Sequence, residues 1–289
     1  MQLRKEPIAA GCKKLADSMQ ASTAAGTLAA EAIMTTDTVS KQAAASFDID
    51  GITVTVGGMS KGSGMIHPDM ATMLCVITTD AVISKGLLQK ALSEVVRNSF
   101  NMISVDRDTS TNDTALLLAN GAAGNKEICE GTPEYDSFVK ALKHVAVTLA
   151  RMMASDGEGA TKLLEVTVVN AADEDGARVL AKSVITSNLV KTAVYGSDAN
   201  WGRIMCALGY SGKEFNPEIV DLSINSVSGS LQLVENGMAA DYSEDIATKI
   251  LSDKEVSVIC DMKSGDARAV AWGCDLTYDY VKINGDYRS

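Results

Sequence analysis

Residues 46–58 read SFDIDGITVTVGG, with apolar and polar side chains alternating on both sides of the Asp50-Gly51 pair. Asp-Gly between two alternating runs predicts a tight hairpin, because the two-residue turn that matches strand twist needs positive φ at both central positions. Neighbouring antiparallel strands weigh against a doubly wound parallel sheet. Mixed with helical stretches elsewhere in the chain, they predict an α+β layered sandwich of mainly antiparallel sheets with helical layers.

Pro7 stands where a first helical turn would begin, and Ile8 to Met34 is Ala-rich with interruptions at Thr23 and Gly26, which predicts a helix or a broken helix. Met73 to Thr78 reads as a buried strand, and the stretch after Ser84 as an amphipathic helix capped by that serine. A short strand near Met102 to Val105, the polar loop DRDTSTND and the apolar run TALLLANG follow. Periodicity predicts further helices over Tyr135 to Ala154, over GARVLAKSVITSNLVKTAVYG, after Asn200 and over Ser243 to Leu251. Strands are expected at Leu163 to Asn170, Val220 to Ile224, Val256 to Asp261 and Ala267 to Asp275, with a polar tail to the end.

Only 4% of the 289 residues are aromatic against 46% hydrophobic, so the core must be built from small aliphatic side chains on closely packed elements. The formal charge is -11 and no basic cluster interrupts the sequence, which argues against nucleic acid as a partner. The six cysteines lack any CxxC spacing and read as reduced, mostly buried thiols. No apolar run reaches the ~20 residues of a membrane span and no signal-like start is present, so no membrane partner and a cytoplasmic location are expected. The opening MQLRKEPIAAGCKKLADSM reads as the first turns of a helix rather than the start of a domain, which suggests a further part upstream.

Chemistry has few carriers here. His67 and His144 are the only histidines, so neither a metal site nor a Ser-His-Asp or Cys-His arrangement is expected. SKGSG lacks the spacing of a phosphate loop. Asp106, Asp108 and Asp113 carry enough charge for a hard cation, but a hydrogen-bonded structural loop is the better reading, since Arg107 opposes them. The segment KGSGMIHPDMATMLCVITTD leaves two readings open: a surface turn leading into a strand, or a peptide bond between Ala71 and Thr72 that is cut. A threonine made N-terminal supplies its own base, because an α-amine of pKa near ~8 accepts the hydroxyl proton without a histidine.

That segment resembles the self-cleaving loop of the ornithine acetyltransferase family, bifunctional glutamate N-acetyltransferases of arginine biosynthesis in which the Ala-Thr bond of M-A-T-M-L is cut. EAIMTTDT, DTSTNDT, DGEGATK, DANWGRI and LTYDYVKINGDYRS resemble further blocks of the family, in its order, across essentially the whole chain. The resemblance implies a remainder of an α chain, residues 1–71, and a β chain, residues 72–289, that stay associated, usually as a heterotetramer. It also implies a fold similar in outline to N-terminal-nucleophile hydrolases. The implied reaction is ping-pong: Thr72 takes the acetyl group of N-acetylornithine, ornithine leaves, and glutamate collects the acetyl group from the enzyme ester. No cofactor is implied, and whether acetyl-CoA also serves as donor stays open.

Carried over by motif, Thr72 matches the nucleophile, while Thr38, Lys61, Glu158, Asn284 and Ser289 match substrate-contacting residues. Lys61 suits a carboxylate or developing oxyanion, and Glu158 a hydrogen bond from an amide or ammonium. On the residue types alone, each would be a surface ion, a loop hydroxyl or part of a frayed terminus.

The chain departs from the family in three respects. Family oxyanion donors come from a Thr-Gly turn that should precede a stretch resembling MQLRKEPI, so this polypeptide is expected to lack them, and losing one such donor costs about 10²-fold in rate. Arg107 stands where the family tends to have Gly, a residue often chosen for positive φ. Gly285 and Ser289 replace Ala and Thr. Two alternatives therefore stand beside the acetyltransferase: an inactive fragment lacking the oxyanion hole, and a related Thr-nucleophile amidase or aminopeptidase.

Overall fold

The computed structural model describes residues 4–67 and 73–287. The Asp50-Gly51 hairpin forms as expected, with φ of 52° and 82° at its two turn residues. It joins β1 (Lys41–Ile49) to β2 (Ile52–Lys61), and β3 (Leu74–Thr79) pairs antiparallel with β2. After β4 (Ile103–Ser104), β5 (Thr114–Ala119) pairs parallel with β3 and completes a four-stranded sheet of order β1-β2-β3-β5.

A second sheet has seven strands. Its members are β4, β6 (Leu163–Ala171), β7 (Asp221–Ser226), β8 (Gly229–Glu235), β9 (Met238–Ala239), β10 (Glu255–Asp261) and β11 (Ala267–Cys274), in the order β4-β11-β6-β10-β7-β8-β9. Its pairings are antiparallel except for β6 with β10 and β4 with β11. The expected α+β sandwich of mainly antiparallel sheets is thus the observed one.

Nine α-helices lie among the described residues. They are α1 (Lys5–Ser18), α2 (Thr23–Ala32), α3 (Lys85–Arg97), α4 (Pro133–Ser155), α5 (Glu174–Ile185), α6 (Asn188–Tyr195), α7 (Trp201–Gly209), α8 (Glu244–Leu251) and α9 (Tyr278–Asp286). The central layer is α4, which packs on β1 and β2 and also touches β6 and β11. It starts at Thr132, whose hydroxyl accepts from the Tyr135 amide, with Pro133 in its first turn. Its core face carries Phe138, Leu142, Val145, Leu149 and Met153, all fully buried, with Ala141, Ala146, Ala150 and Ala154 between them. That alternation of large and small residues brings the sheets close with few aromatics; Phe138 meets Phe47 of β1 edge-on at 6.4 Å. Truncating Leu149 to Ala would cost roughly 2–5 kcal/mol. On the far side of the larger sheet, α5 covers β6 and β11 and is itself packed by α7.

Four expectations are corrected. The helix read over residues 176–196 is two, because Ser187 leaves helical conformation and its hydroxyl caps α6 by accepting from the Val190 amide. The strands β8 and β9 were not read. The polar tail is the helix α9, which buries no residue and so shows no apolar stripe; Thr277 caps it by accepting from the Tyr280 amide. Of the six thiols, Cys75, Cys260 and Cys274 are buried, but Cys12, Cys129 and Cys206 are exposed.

Candidate active site

Residues 62–67 lead from the end of β2 towards the Ala-Thr motif, and almost every one is tied to a distant segment. The Gly62 amide donates to Asp37 at 2.7 Å, and the Ser63 hydroxyl pairs with Thr36 at 2.7 Å. Ser63 O accepts from the Glu158 amide at 2.8 Å, and Ile66 O from the Val105 amide at 2.7 Å. The Met65 and Ile66 amides donate to the two oxygens of Asp106 at 2.7 and 3.0 Å. His67 Nδ1 lies 3.0 Å from Ser104 Oγ. Such cross-linking fixes where the chain enters residues 68–72, a prerequisite for positioned chemistry.

The anchor of this base is ionic and buried. Lys41, fully buried at the start of β1, donates to Asp37 at 2.7 Å and to Asp156 at 2.6 Å. Burial alone would raise the Asp37 pKa, but hydrogen bonds from Lys41, Gly62 and Thr35 together with the Lys41 charge outweigh it and hold the carboxyl below 3.8. Asp156 also accepts from the Thr38 amide at 3.0 Å and from the Thr38 hydroxyl. One lysine thus ties the turn after α2, the start of β1 and the end of α4 together.

Glu158 and Asn284 meet: Asn284 Nδ2 donates to Glu158 Oε2 at 2.9 Å and to Tyr280 O at 3.1 Å. Two glycines permit it. A Cβ on Gly64 would sit 2.3 Å from the Glu158 carboxyl carbon, and one on Gly159, whose φ is +69°, would sit 2.6 Å from the Tyr280 amide nitrogen. From the same helix, the Tyr280 hydroxyl donates to Asp106 at 3.3 Å, and burial followed by the Asp106 charge pushes its pKa up.

Asp113 lies on the other flank. The parallel register of β3 with β5 sets Thr114 opposite Leu74, and the Thr114 amide donates to Met73 O at 2.9 Å, so residue 113 lies beside the first described residue after the motif. Neither carboxylate oxygen of Asp113 has a hydrogen-bond partner of good geometry among the described residues. Burial pushes its pKa up to about 6, and the Met73 amide and the Lys61 charge pull it back only in part. Lys61 ends β2, in register with Leu74.

Of the sequence-derived residues, the structure joins Glu158 with Asn284 and places Lys61 near Asp113, while Ala71, Thr72 and Ser289 lie outside the described residues. The Thr38 hydroxyl is committed to Asp156. Sequence reasoning passed over Lys41, Asp37 and Asp156, which carry no motif of their own, and set Asp113 aside as loop. Arg107 adopts the expected left-handed backbone, with φ of 70°. Asp106 serves as the acceptor of a structural loop, and among the described residues no group of three or more His, Cys, Asp or Glu is arranged to hold a metal ion. No helix of the described residues is long and apolar enough to cross a membrane.

Residues 1–289 match the family model described as the ArgJ family. The chain is 54% identical over 261 residues to the arginine biosynthesis bifunctional protein ArgJ of Caldanaerobacter subterraneus subsp. tengcongensis, covering 90% of this chain and 65% of that protein. Against the protein of the same name from Symbiobacterium thermophilum it is 53% identical over 287 residues, covering 99% of this chain and 70% of that one. The chain therefore spans about 65% of the length of the first of these relatives. The crystal structure of an arginine biosynthesis bifunctional protein ArgJ from Bacillus halodurans superposes with a TM-score of 0.70 at 46% identity, covering 73% of this chain and 98% of that chain.

Proposed function

The chain belongs to the ArgJ family, and we propose that it is an acyltransferase that moves an acetyl group from N-acetylornithine to glutamate through an ester on Thr72, formed after the Ala71–Thr72 bond is cut. The observation that carries this reading is the 2.9 Å hydrogen bond between Glu158 and Asn284, 126 positions apart. It forms where the Glu158 amide also holds the base of the loop leading to Thr72. Two residues singled out for substrate contact thus converge on the segment singled out for the nucleophile.

Self-cleavage adds water across one peptide bond. The Thr72 hydroxyl attacks the Ala71 carbonyl, the acyl group passes from nitrogen to oxygen, and water hydrolyses the ester to leave an Ala71 carboxylate and a free Thr72 amine. Before the cut that amine is an amide nitrogen and takes no proton. Asp113, beside Met73 and ionised above a pKa of about 6, is assigned the role of first proton acceptor. Once freed, the amine serves for turnover: it takes the hydroxyl proton and returns it to the leaving ornithine amine. Lys61 stabilises a carboxylate or the developing oxyanion, and Thr38, Glu158, Asn284 and Ser289 contact the amino-acid portion, Thr38 from a position held by its hydrogen bonds to Asp156.

The cut chains 1–71 and 72–289 remain together because β2 pairs with β3 and α4 packs on β1 and β2 across the cut. Two such pairs assemble as the heterotetramer.

Intact mass of the purified protein beside a Thr72→Ala variant tests the reading. Two masses that part between Ala71 and Thr72, and one uncut mass for the variant, are expected. Acetylglutamate formed from N-acetylornithine and glutamate then establishes transfer, and acetyl-CoA supplied with glutamate alone decides the second donor. Release of free acetate without acetylglutamate would favour the amidase alternative, and an uncut parent chain would sink the role of Thr72.

A further inference from the structure

The helix α9 is held to the protein by polar bonds. It buries no residue, and Tyr278 and Val281 stand 81% and 68% exposed. An element with so little apolar burial opens more readily than the core, so its place depends on the few hydrogen bonds it makes.

Among the described residues, the side-chain hydrogen bonds from α9 and its cap to the rest of the protein all land on supports of the loop of residues 62–67. At the start of the helix the Thr277 hydroxyl donates to Gly159 O at 2.7 Å, next to Glu158, whose amide holds Ser63 O. In the first turn the Tyr280 hydroxyl donates to Asp106 Oδ2 at 3.3 Å, and the same oxygen accepts from the Met65 amide at 2.7 Å. The other oxygen of Asp106 accepts from the Ile66 amide at 3.0 Å and the Asp108 amide at 3.2 Å. One carboxylate oxygen thus stands between α9 and the backbone that leads towards Thr72.

Tyr280 also fixes a group one turn on. Asn284 follows it at i+4, on the same face of α9, and donates to Tyr280 O at 3.1 Å and to Glu158 at 2.9 Å. Burial, followed by the charge of Asp106, pushes the Tyr280 phenol above its usual range, so it stays protonated and keeps donating through neutral and mildly alkaline pH.

We propose that Tyr280, acting through Asp106, is a positioning residue for acetyl transfer: it sets the distance between Asn284 on α9 and the loop that leads to the nucleophile. The proposal rests on the acetyl-transfer reading and adds a residue that touches neither the substrate nor the reacting atoms. Self-cleavage uses no amino-acid substrate, so Tyr280 serves transfer and not processing. Misplacing a bound group by about 1 Å costs on the order of 10²-fold in rate, so a lost tether is felt in turnover before it is felt in stability.

Tyr280→Phe in the whole chain removes the tether and leaves the ring. Transfer from N-acetylornithine to glutamate is expected to lose about tenfold or more in kcat, with KM for glutamate within about threefold of the parent. Melting temperature, and self-cleavage followed by intact mass, should match the parent, while amide hydrogen exchange over residues 278–286 quickens. Asp106→Ala completes a double-mutant cycle: in that background Y280F should cost little further, because the group it acts through is already gone. The proposal is overturned if Y280F transfers as fast as the parent, if only KM changes, if self-cleavage slows in step with transfer, or if the losses of Y280F and D106A multiply. A parent chain that moves no acetyl group fails the acetyl-transfer reading and this proposal with it, whereas an active parent matched by Y280F fails this proposal alone.

Discussion

On one side of the loop of residues 62–67, Asp37 and Asp156 share the ammonium of Lys41, and backbone amides complete their hydrogen bonds. On the other side, Asp113 keeps both oxygens without a good partner among the described residues, with Lys61 close enough for its charge to act on the carboxylate. The first corner is satisfied and the second is not. A buried ion cluster whose every charge is met holds geometry, whereas a desolvated carboxylate with a raised pKa keeps proton affinity in reserve.

The two corners respond to pH in opposite directions. The folded pKa of Asp37 lies below 3.8, so its contribution to stability is full above that value and is lost as pH falls through the folded pKa. Asp113 is raised from 3.8 to about 6, so the folded state binds its proton first, and stability falls as pH rises across that window.

The sharpest way to break the comparison is Lys41→Met. It leaves Asp37 and Asp156 buried and facing each other, and urea denaturation should show a loss of about 3–5 kcal/mol, partly recovered in acid as one carboxylate takes a proton. A variant as stable as the parent would mean that the cluster is not the anchor. Next in size, Gly64→Ala pushes a Cβ into the Glu158 carboxylate, and acetyl transfer should fall about tenfold or more with only a modest change in melting temperature. The smallest effect on stability belongs to Asp113→Asn. Its melting temperature relative to the parent should rise steadily from pH 4 to pH 6, the span between the ordinary and the shifted pKa, and stay level above it. The same variant should cut itself more slowly, as followed by intact mass; unchanged cleavage would remove Asp113 from the processing step while leaving Thr72 untouched.

Much of the fold was legible because its signals are local. Asp50-Gly51 named its hairpin, and Ser84, Asn200 and Ser243 sit where caps must sit, each accepting from an amide three residues on. The hairpin of β8 and β9 carried a similar signal in Asn236-Gly237, with φ of 47° and 75°, though β9 is too short to alternate. The helix α9 was illegible for a different reason. It is held by hydrogen bonds to Gly159, Glu158 and Asp106 and by an edge contact of Tyr278 with Tyr195, with no residue buried, and periodicity reports only burial.

The sequence by itself determined the small-residue core, the turns, the caps and the Ala-Thr motif, because each depends on residue type and short spacing. Only the tertiary structure put Lys41 against Asp156, 115 positions away, and collected Arg97, Arg107, Arg178 and Lys182 around one cleft. Coulomb energy depends on distance through space and on burial, and neither is written in the spacing of charges along a chain.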